Sequence, residues 1–170
     1  MRPLTPPSEA DLRSAATALG DELRRRGWRL ATAESSTAGL IGHAITMIPG
    51  ASDYYVGGVI SYSNLSKEVQ LGVSSDLLKR WGAVSTEVAS AMADGARDRF
   101  EVEVAVAVTG IAGPDGGTPT KPVGRHYVAV ARPGHPPVVE QLDLAFDRDG
   151  NRTAAALAAL DLACREAARA

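Results

Sequence analysis

The sequence has only one cysteine, Cys164, among its 170 residues. A disulfide within the chain is therefore impossible, which fits a reducing cytoplasm. The sequence also has no apolar run approaching the roughly 20 residues of a membrane span, and the stretch Met1–Pro7 lacks the apolar core of a signal peptide. We therefore expect a cytoplasmic protein that has no membrane partner.

A large excess of charge of one sign is also missing. The chain has 18 Lys and Arg against 20 Asp and Glu, with no long basic stripe, so we expect no nucleic-acid partner. Walker A, G-x-S-x-G, S-x-x-K and H-E-x-x-H motifs are absent, and His43, His126 and His135 lack metal-ligand spacing. The sequence therefore predicts neither a metal site nor a bound cofactor.

Hydrophobic periodicity and turn residues predict the order α-β-α-β-α-α-α-β-β-β-α. The first helix runs from Ser8, its N-cap, to Gly27, and the last begins near residue 149. On that last helix Leu157, Leu160, Cys164 and Ala168 are predicted to share the core face. Strands are predicted at 28–33, 54–62, 102–108, 124–131 and 137–144. One helix is predicted to end near residue 47, and three others to cover 64–71, 75–80 and 86–99.

This order predicts a single-domain α/β protein, a three-layer α/β/α sandwich around a mixed sheet. Helices and strands alternate early in the chain, whereas three strands follow one another late. We expect residues 1–7, which are rich in proline, to be a loose segment, and residues 8–170 to form the one domain.

Three polar segments fall where predicted strands end. The first is Glu34-Ser35-Ser36-Thr37-Ala38-Gly39, between a strand and a helix. Such turns collect anions and ligands in α/β folds, and small residues let a ligand approach the backbone N–H groups. The alternative is that this segment only caps the helix.

The second segment is Ser61–Lys67, in which Tyr62 ends a strand and Lys67 lies in the first turn of a helix. A positive charge is unfavourable there, so the helix dipole is expected to lower the pKa of Lys67 and favour a neutral base. The alternative is an ordinary surface lysine.

The third segment is the glycine-rich loop 109–118, followed by Lys121–Gly124. A loop of this composition after a buried strand typically surrounds a ligand with backbone donors. The alternative is a long connecting turn.

Together these segments resemble the C-terminal domain of the competence-damage-inducible protein (CinA) family. The family reads A-E-S-C-T-G-G at residues 33–39, Y-S-N-x-x-K at 62–67, G-A-V-S at 82–85, and T-G-I-A-G-P-x-G-G followed by K-P-V-G at 109–124. The resemblance extends over about residues 9–165. Two positions differ, because Ser36 replaces the usual cysteine and Ala38 replaces the first glycine.

The resemblance implies hydrolysis of the carboxamide of nicotinamide mononucleotide to nicotinate mononucleotide and ammonia. It implies that Ser35 is the nucleophile, that Tyr62 and Lys67 activate it, and that the protein is a homodimer or larger homo-oligomer. A non-catalytic module that binds a nucleotide or a partner is the alternative. The residues expected to bind substrate are Glu34, Ser36, Thr37, Ala38, Gly39, Thr109, Gly110, Ile111, Ala112, Gly113, Gly116, Gly117, Lys121 and Arg148.

Arg148 and Arg152 lie near the start of the last predicted helix, where positive charge opposes the helix dipole unless an anion is bound. We expect the glycine-loop amides to hold the 5′-phosphate of the substrate, with Arg148 or Lys121 assisting. The alternative is that both arginines are solvated.

Overall fold

A computed structural model describes residues 5–169, and its elements follow the predicted order. The helices are α1 (Glu9–Arg26), α2 (Leu40–Thr46), α3 (Asn64–Leu71), α4 (Ser75–Trp81), α5 (Thr86–Phe100) and α6 (Arg148–Arg169). The strands are β1 (Leu30–Glu34), β2 (Tyr55–Ile60), β3 (Val104–Gly110), β4 (Arg125–Arg132) and β5 (His135–Asp143), and a short 3₁₀ turn covers Ala51–Asp53.

The five strands form one sheet in the order β2-β1-β3-β4-β5. β1 is parallel to both β2 and β3, whereas β4 is antiparallel to β3 and β5. The mixed sheet that the sequence predicted is thereby confirmed. Because β1, β2 and β3 are parallel, their carboxyl ends meet at one edge, and all three polar segments begin there.

The two faces of the sheet carry side chains of different size. Val104, Val106 and Val108 of β3 pack toward α1, α2 and α6, whereas Ala105 and Ala107 pack toward α5. This alternation follows from the two-residue period of a strand, and the small side chains let α5 lie close to the sheet. Helices on both faces confirm the three-layer sandwich.

Serine and glycine residues set the helix limits. Ser8 and Asp11 form a capping box at the start of α1, and Gly27 ends that helix at a φ of 67°. Ser63, Ser74 and Ser85 cap α3, α4 and α5 by accepting a backbone N–H. Each such cap stabilises its helix by about 1 kcal/mol, which explains why the predicted starts of these helices were close to the observed ones.

The buried face of α6 differs from the prediction. Leu160 is buried, but Leu157 and Cys164 are only half-buried and Ala168 is exposed. The core face is instead formed mainly by alanines, among them Ala155, Ala159 and Ala163, because α6 packs against both α1 and the sheet.

The predicted loose segment 1–7 is described only in part, since residues 1–4 lie outside the described residues. Pro7, within the described part, lines a groove beside α6. Among residues 5–169, no helix combines the length and the hydropathy needed to cross a bilayer.

Candidate active site

Ser35 directly follows β1 and is held at the carboxyl end of the sheet. Its N–H donates to the Val108 carbonyl at 3.0 Å, and its own carbonyl accepts from the Ala38 N–H at 3.1 Å. The sheet hydrogen bond fixes one side of the residue and the turn fixes the other. The Ser35 side chain is therefore placed by backbone on both sides, and its hydroxyl lines a pocket.

Lys67 reaches Ser35 from the neighbouring helix. Its Nζ lies 3.0 Å from Ser35 Oγ, 2.7 Å from the Ser61 carbonyl oxygen and 3.5 Å from the Tyr62 carbonyl oxygen. Helical side chains point toward the helix N-terminus, which brings the amine back over the end of β2. Lys67 is only 1% exposed, and no carboxylate pairs with it among residues 5–169.

Burial of the Lys67 amine lowers its pKa from 10.5 to about 8. The lowered pKa agrees with the expectation from the sequence. Its cause is desolvation, which disfavours the charged ammonium. A neutral amine next to a serine hydroxyl can accept its proton.

Tyr62 lines the same pocket, but its hydroxyl points toward Arg148. Arg148 Nη2 donates to the Tyr62 hydroxyl oxygen at 3.4 Å, and the Tyr62 side chain is mostly exposed. Lys67 therefore contacts the Ser35 hydroxyl directly. Tyr62 contacts Lys67 through its backbone carbonyl oxygen and not through its hydroxyl.

The pocket above Ser35 and Lys67 encloses about 170 Å³. This is less than the roughly 300–1,000 Å³ of a site that encloses a drug-sized ligand, so it suits one end of a larger ligand. It is lined by Ser35, Ser36, Tyr62, Lys67, Ala83, Val84, Thr109, Gly110, Ala112 and Arg148. Eight of the sequence-predicted site residues are among these ten.

Glu34, the residue before Ser35, lies on the other side of the sheet. Its carboxylate accepts hydrogen bonds from the Thr37 hydroxyl and from the N–H groups of Gly39, Ile41 and Gly42, at 2.7–3.1 Å. It therefore caps α2 and closes the turn that carries Ser35. The structure gives Glu34, Thr37 and Gly39 contacts that organise the turn, outside the pocket lining.

Ala38 adopts a φ of 49° and Gly39 a φ of 99°. A left-handed conformation is strained for alanine, which explains why glycine suits this position. The Ala38 side chain is exposed and does not line the pocket. The alanine therefore affects the turn, and its methyl group does not occupy the pocket.

Two backbone donors of this turn remain free. The N–H groups of Ala38 and Gly39 are bonded to the Ser35 carbonyl and to Glu34, respectively. Those of Ser36 and Thr37 find no acceptor among residues 5–169. They are the donors of the turn that a developing oxyanion could use.

The glycine-rich loop contributes only its first part to the pocket. Gly110 is packed against His126, where a Cβ would come within 2.1 Å of the ring, so glycine is required there. Ile111 donates its N–H to the Arg125 carbonyl, and Gly113 accepts from Arg148 Nη1 at 2.6 Å. Gly116 and Gly117 lie exposed outside the lining residues.

The two cations proposed for phosphate lie in different places. Arg148 lines the pocket, and no carboxylate pairs with it in the described part of the chain. Lys121 Nζ donates to the Trp81 carbonyl at 2.5 Å and lies outside the lining. Arg152 holds the turn after β1 instead, since it donates to the Ser36 and Thr37 carbonyls at 3.1 and 3.0 Å.

Ala83 and Val84 line the pocket but were not predicted as site residues. They belong to the segment 82–85, which the sequence resemblance had already included, so the G-A-V-S motif was the available signal. The Thr109 hydroxyl donates to the Ala83 carbonyl at 2.8 Å and ties this segment to β3.

A second groove, of about 240 Å³, lies between the end of β5 and α6. It is mostly apolar and has no nucleophile with an adjacent base, so the chemistry points to the Ser35 pocket. No group of three or more His, Cys, Asp or Glu residues is placed to hold a metal within residues 5–169.

The comparisons with known proteins all point to the same family. The family described as the CinA C-terminal domain matches residues 12–167. A CinA-like protein of Myxococcus xanthus is 43% identical over 152 residues, covering 89% of this chain and 36% of the relative. Another, from Syntrophobacter fumaroxidans, is 48% identical over 147 residues, covering 86% of this chain and 34% of the relative. The chain thus spans about a third of these curated relatives.

Solved structures of similar length agree with this result. The competence/damage inducible protein CihA of Agrobacterium tumefaciens has a TM-score of 0.88 and 36% identity, covering 93% of this chain and 95% of the other. A CinA superfamily protein of Escherichia coli has a TM-score of 0.87 and 30% identity, covering 96% and 95%. With the family match over residues 12–167, these likenesses show that the chain belongs to the CinA family, as a C-terminal domain of that family.

Proposed function

We propose that the protein is a serine amidohydrolase that converts the carboxamide of nicotinamide mononucleotide to a carboxylate and releases ammonia. One observation carries the reaction type: the buried Lys67 amine, which has no carboxylate partner among the described residues, lies 3.0 Å from the Ser35 hydroxyl. The nucleotide is proposed from the resemblance of the motifs, and a pocket that suits one end of such a molecule supports it.

The neighbours of Lys67 direct its lone pair. A neutral amine has two N–H donors, and two backbone carbonyls, of Ser61 and Tyr62, lie within 2.7 and 3.5 Å. When both N–H groups are donated to these carbonyls, the lone pair faces Ser35 Oγ. The arrangement therefore favours proton transfer from the serine hydroxyl to the lysine.

In the first half-reaction Ser35 Oγ attacks the carboxamide carbon while its proton passes to Lys67. The carbonyl oxygen becomes an oxyanion, for which the free N–H groups of Ser36 and Thr37 are the proposed donors. The Lys67 ammonium then gives its proton to the amide nitrogen. The C–N bond breaks, ammonia leaves, and Ser35 is left as an ester.

In the second half-reaction water attacks the ester, and Lys67 takes a proton from that water. The same donors stabilise the second oxyanion. Collapse breaks the bond to Ser35 Oγ, which regains a proton from Lys67, and the carboxylic acid formed then ionises. Both halves use the same base, so no second titrating side chain is needed.

Arg148 supports an anionic substrate. Its guanidinium is fixed by the Gly113 carbonyl and the Tyr62 hydroxyl, and no carboxylate neutralises it among the described residues. A cation at the pocket wall can hold a phosphate that extends beyond the small pocket. The glycine-loop amides and Lys121 remain further proposed contacts for that phosphate.

The experiment is an ammonia-release assay with nicotinamide mononucleotide, comparing the parent with Ser35→Ala. We expect the variant to lose turnover and to bind the nucleotide within about tenfold of the parent, a difference of about 1.4 kcal/mol. Ser14→Ala, at an exposed serine of α1, serves as the control that keeps parental activity.

Two outcomes would count against the proposal. Activity that persists in Ser35→Ala would mean that another group attacks the amide. Tight binding of the nucleotide by the parent without any ammonia release would favour the alternative, a binding module without turnover.

A further inference from the structure

Two neighbouring carbonyls of the turn after β1 are bound by one guanidinium. Arg152 Nε donates to the Ser36 carbonyl oxygen at 3.1 Å, and Arg152 Nη2 donates to the Thr37 carbonyl oxygen at 3.0 Å. The planar fork of an arginine can reach both oxygens in a single orientation. Because the Arg152 side chain is only 29% exposed, these contacts are largely shielded from water.

The Ser36 carbonyl shares its peptide group with the Thr37 N–H. In a trans peptide the C=O and the N–H point to opposite sides, and the peptides of this turn are trans. The Thr37 N–H finds no acceptor among residues 5–169. A cationic donor on the carbonyl therefore fixes the direction of this free N–H and makes it a stronger donor.

A second, longer route joins Arg152 to the other free N–H of the turn. The Thr37 carbonyl shares its peptide group with the Ala38 N–H, which donates to the Ser35 carbonyl at 3.1 Å. The Ser35 carbonyl in turn shares its peptide group with the free Ser36 N–H. Hydrogen bonds in such a chain strengthen one another. Both free donors of the turn therefore lie at the ends of routes that begin at one guanidinium.

We propose that Arg152 is a positioning residue for the reaction, which orients and polarises the N–H groups of Ser36 and Thr37 for the oxyanion. Arg152 is not among the residues that line the pocket, so it acts through the backbone of the turn. Its role thus differs from that of Arg148, which lines the pocket. This inference rests on the proposed function, because the oxyanion forms only when Ser35 attacks a carbonyl carbon.

The charge of Arg152 is available for this purpose. The only carboxylate that pairs with it in the described part of the chain is that of Asp149, at 3.5 Å, and the Asp149 side chain is 88% exposed. Water screens so exposed a partner, whereas the two backbone carbonyls are held at shorter distances. Hydrogen bonds from a charged donor are about twice as strong as neutral ones. A neutral donor at this position should therefore polarise the turn less.

The first test compares kcat for ammonia release with the Kd for nicotinamide mononucleotide. We expect Arg152→Gln to lower kcat by about 10–10²-fold, less than the loss of an oxyanion donor outright, and to leave Kd nearly unchanged. Arg152→Lys restores the charge without the planar fork, so its kcat should lie between those of the glutamine variant and the parent. Arg165→Ala, at an exposed arginine of the same helix, should keep the parental values.

The second test uses p-nitrophenyl acetate, which forms the same kind of oxyanion without the nucleotide. Ser35 Oγ bonds to the acetyl carbon while its proton passes to Lys67, and the C–O bond to p-nitrophenolate breaks. This leaving group departs as an anion and needs no proton, so the rate isolates attack and oxyanion stabilisation. We expect the burst of p-nitrophenolate to follow the same order of variants, with mass spectrometry locating the acetyl group on Ser35.

The outcomes separate this inference from the proposed function. A parent that is acetylated at Ser35 but releases no ammonia would overturn the amidase, while the ester rates still decide the role of Arg152. A parent that is not acetylated at Ser35 would overturn both. Parental ester rates in Arg152→Gln, or a loss of nucleotide affinity as large as the loss of kcat, would overturn the positioning role. If the glutamine variant does not fold, a folded Arg152→Lys as fast as the parent would do so.

Discussion

Three oxygens surround the amine of Lys67, and its protonation state decides what that amine can do. Only the neutral form can accept the Ser35 proton. Because burial lowers the lysine pKa to about 8, the neutral fraction grows as the pH rises toward and through that value. We therefore expect kcat/KM for ammonia release to increase up to about pH 8 and to level off above it.

Replacement of this lysine should remove that dependence. We expect Lys67→Ala to lower kcat by about 10²–10⁴-fold, the usual contribution of an acid–base group. Lys79→Ala, at an exposed lysine of α4, is the matched control and should leave the pH profile unchanged. If Lys67→Ala kept the parental profile, some other group would be the base.

Ser36 presents a different situation, since its hydroxyl is buried beside the pocket without a hydrogen-bond partner among the described residues. An unpaired buried polar group costs about 1–3 kcal/mol. Ser36→Ala should therefore raise the free energy of unfolding of the free protein by about 1 kcal/mol. A substrate that satisfies the hydroxyl should, in contrast, stabilise the variant less than the parent.

Thermal unfolding with and without nicotinamide mononucleotide measures both effects. Ser85→Ala is the control, because the Ser85 hydroxyl is also buried but is bonded to the Gly82 carbonyl and the Val88 N–H. That variant should be destabilised. A Ser36→Ala protein that is less stable than the parent would show that the hydroxyl already has a partner in the free protein.

At the scale of elements, Glu34 joins the end of β1 to the start of α2. Its carboxylate accepts from one hydroxyl and three backbone N–H groups, so Glu34→Ala leaves four donors without their acceptor. We expect a loss of at least about 3 kcal/mol in the free energy of unfolding, measured by chemical denaturation. Glu9→Ala, in the exposed first turn of α1, should cost less than about 1 kcal/mol. Equal losses would contradict the role assigned to Glu34.

The elements also show where sequence reasoning succeeds. Serine caps, glycine stops and valine-rich strands are local signals, so the order and type of every helix and strand were predicted correctly. The buried face of α6 was not predicted correctly throughout. Its alanines pack as well against α1 as against the sheet, so they leave no clear hydrophobic period along the helix. Leu160 is buried as predicted, whereas Leu157 is only half-buried.

The candidate site was predicted in the same uneven way. The sequence placed Ser35 and Tyr62 at strand ends and Lys67 in the first turn of the next helix, and the parallel sheet brings them together. It could not separate Glu34 from Ser35, although neighbouring residues at a strand end point to opposite faces. Nor did it show that the Tyr62 hydroxyl lies toward Arg148, since that depends on how α6 packs.

For the whole molecule, the buried lysine links stability to pH. Between about pH 8 and 10.5 the unfolded chain keeps a proton on Lys67 that the folded protein has lost. Stability therefore rises with pH in that window, because the unfolded state binds more protons. We expect the free energy of unfolding of the parent, relative to Lys67→Met, to be constant below pH 8 and to increase toward pH 10.5. A flat difference across the window would mean that the pKa of Lys67 is not lowered.

The hydrogen bonds from Arg152 to the Ser36 and Thr37 carbonyls have a consequence for the order of events in the cell. They join the turn after β1 to a helix more than a hundred residues later in the chain. Domains of this size begin to fold while the ribosome is still adding residues at about 5–20 per second. Ser35 leaves the ribosome more than a hundred residues before Arg152, so its turn lacks these contacts until residue 152 has emerged and α6 has docked. A nascent chain that has not yet reached residue 152 therefore holds an unfinished turn around Ser35.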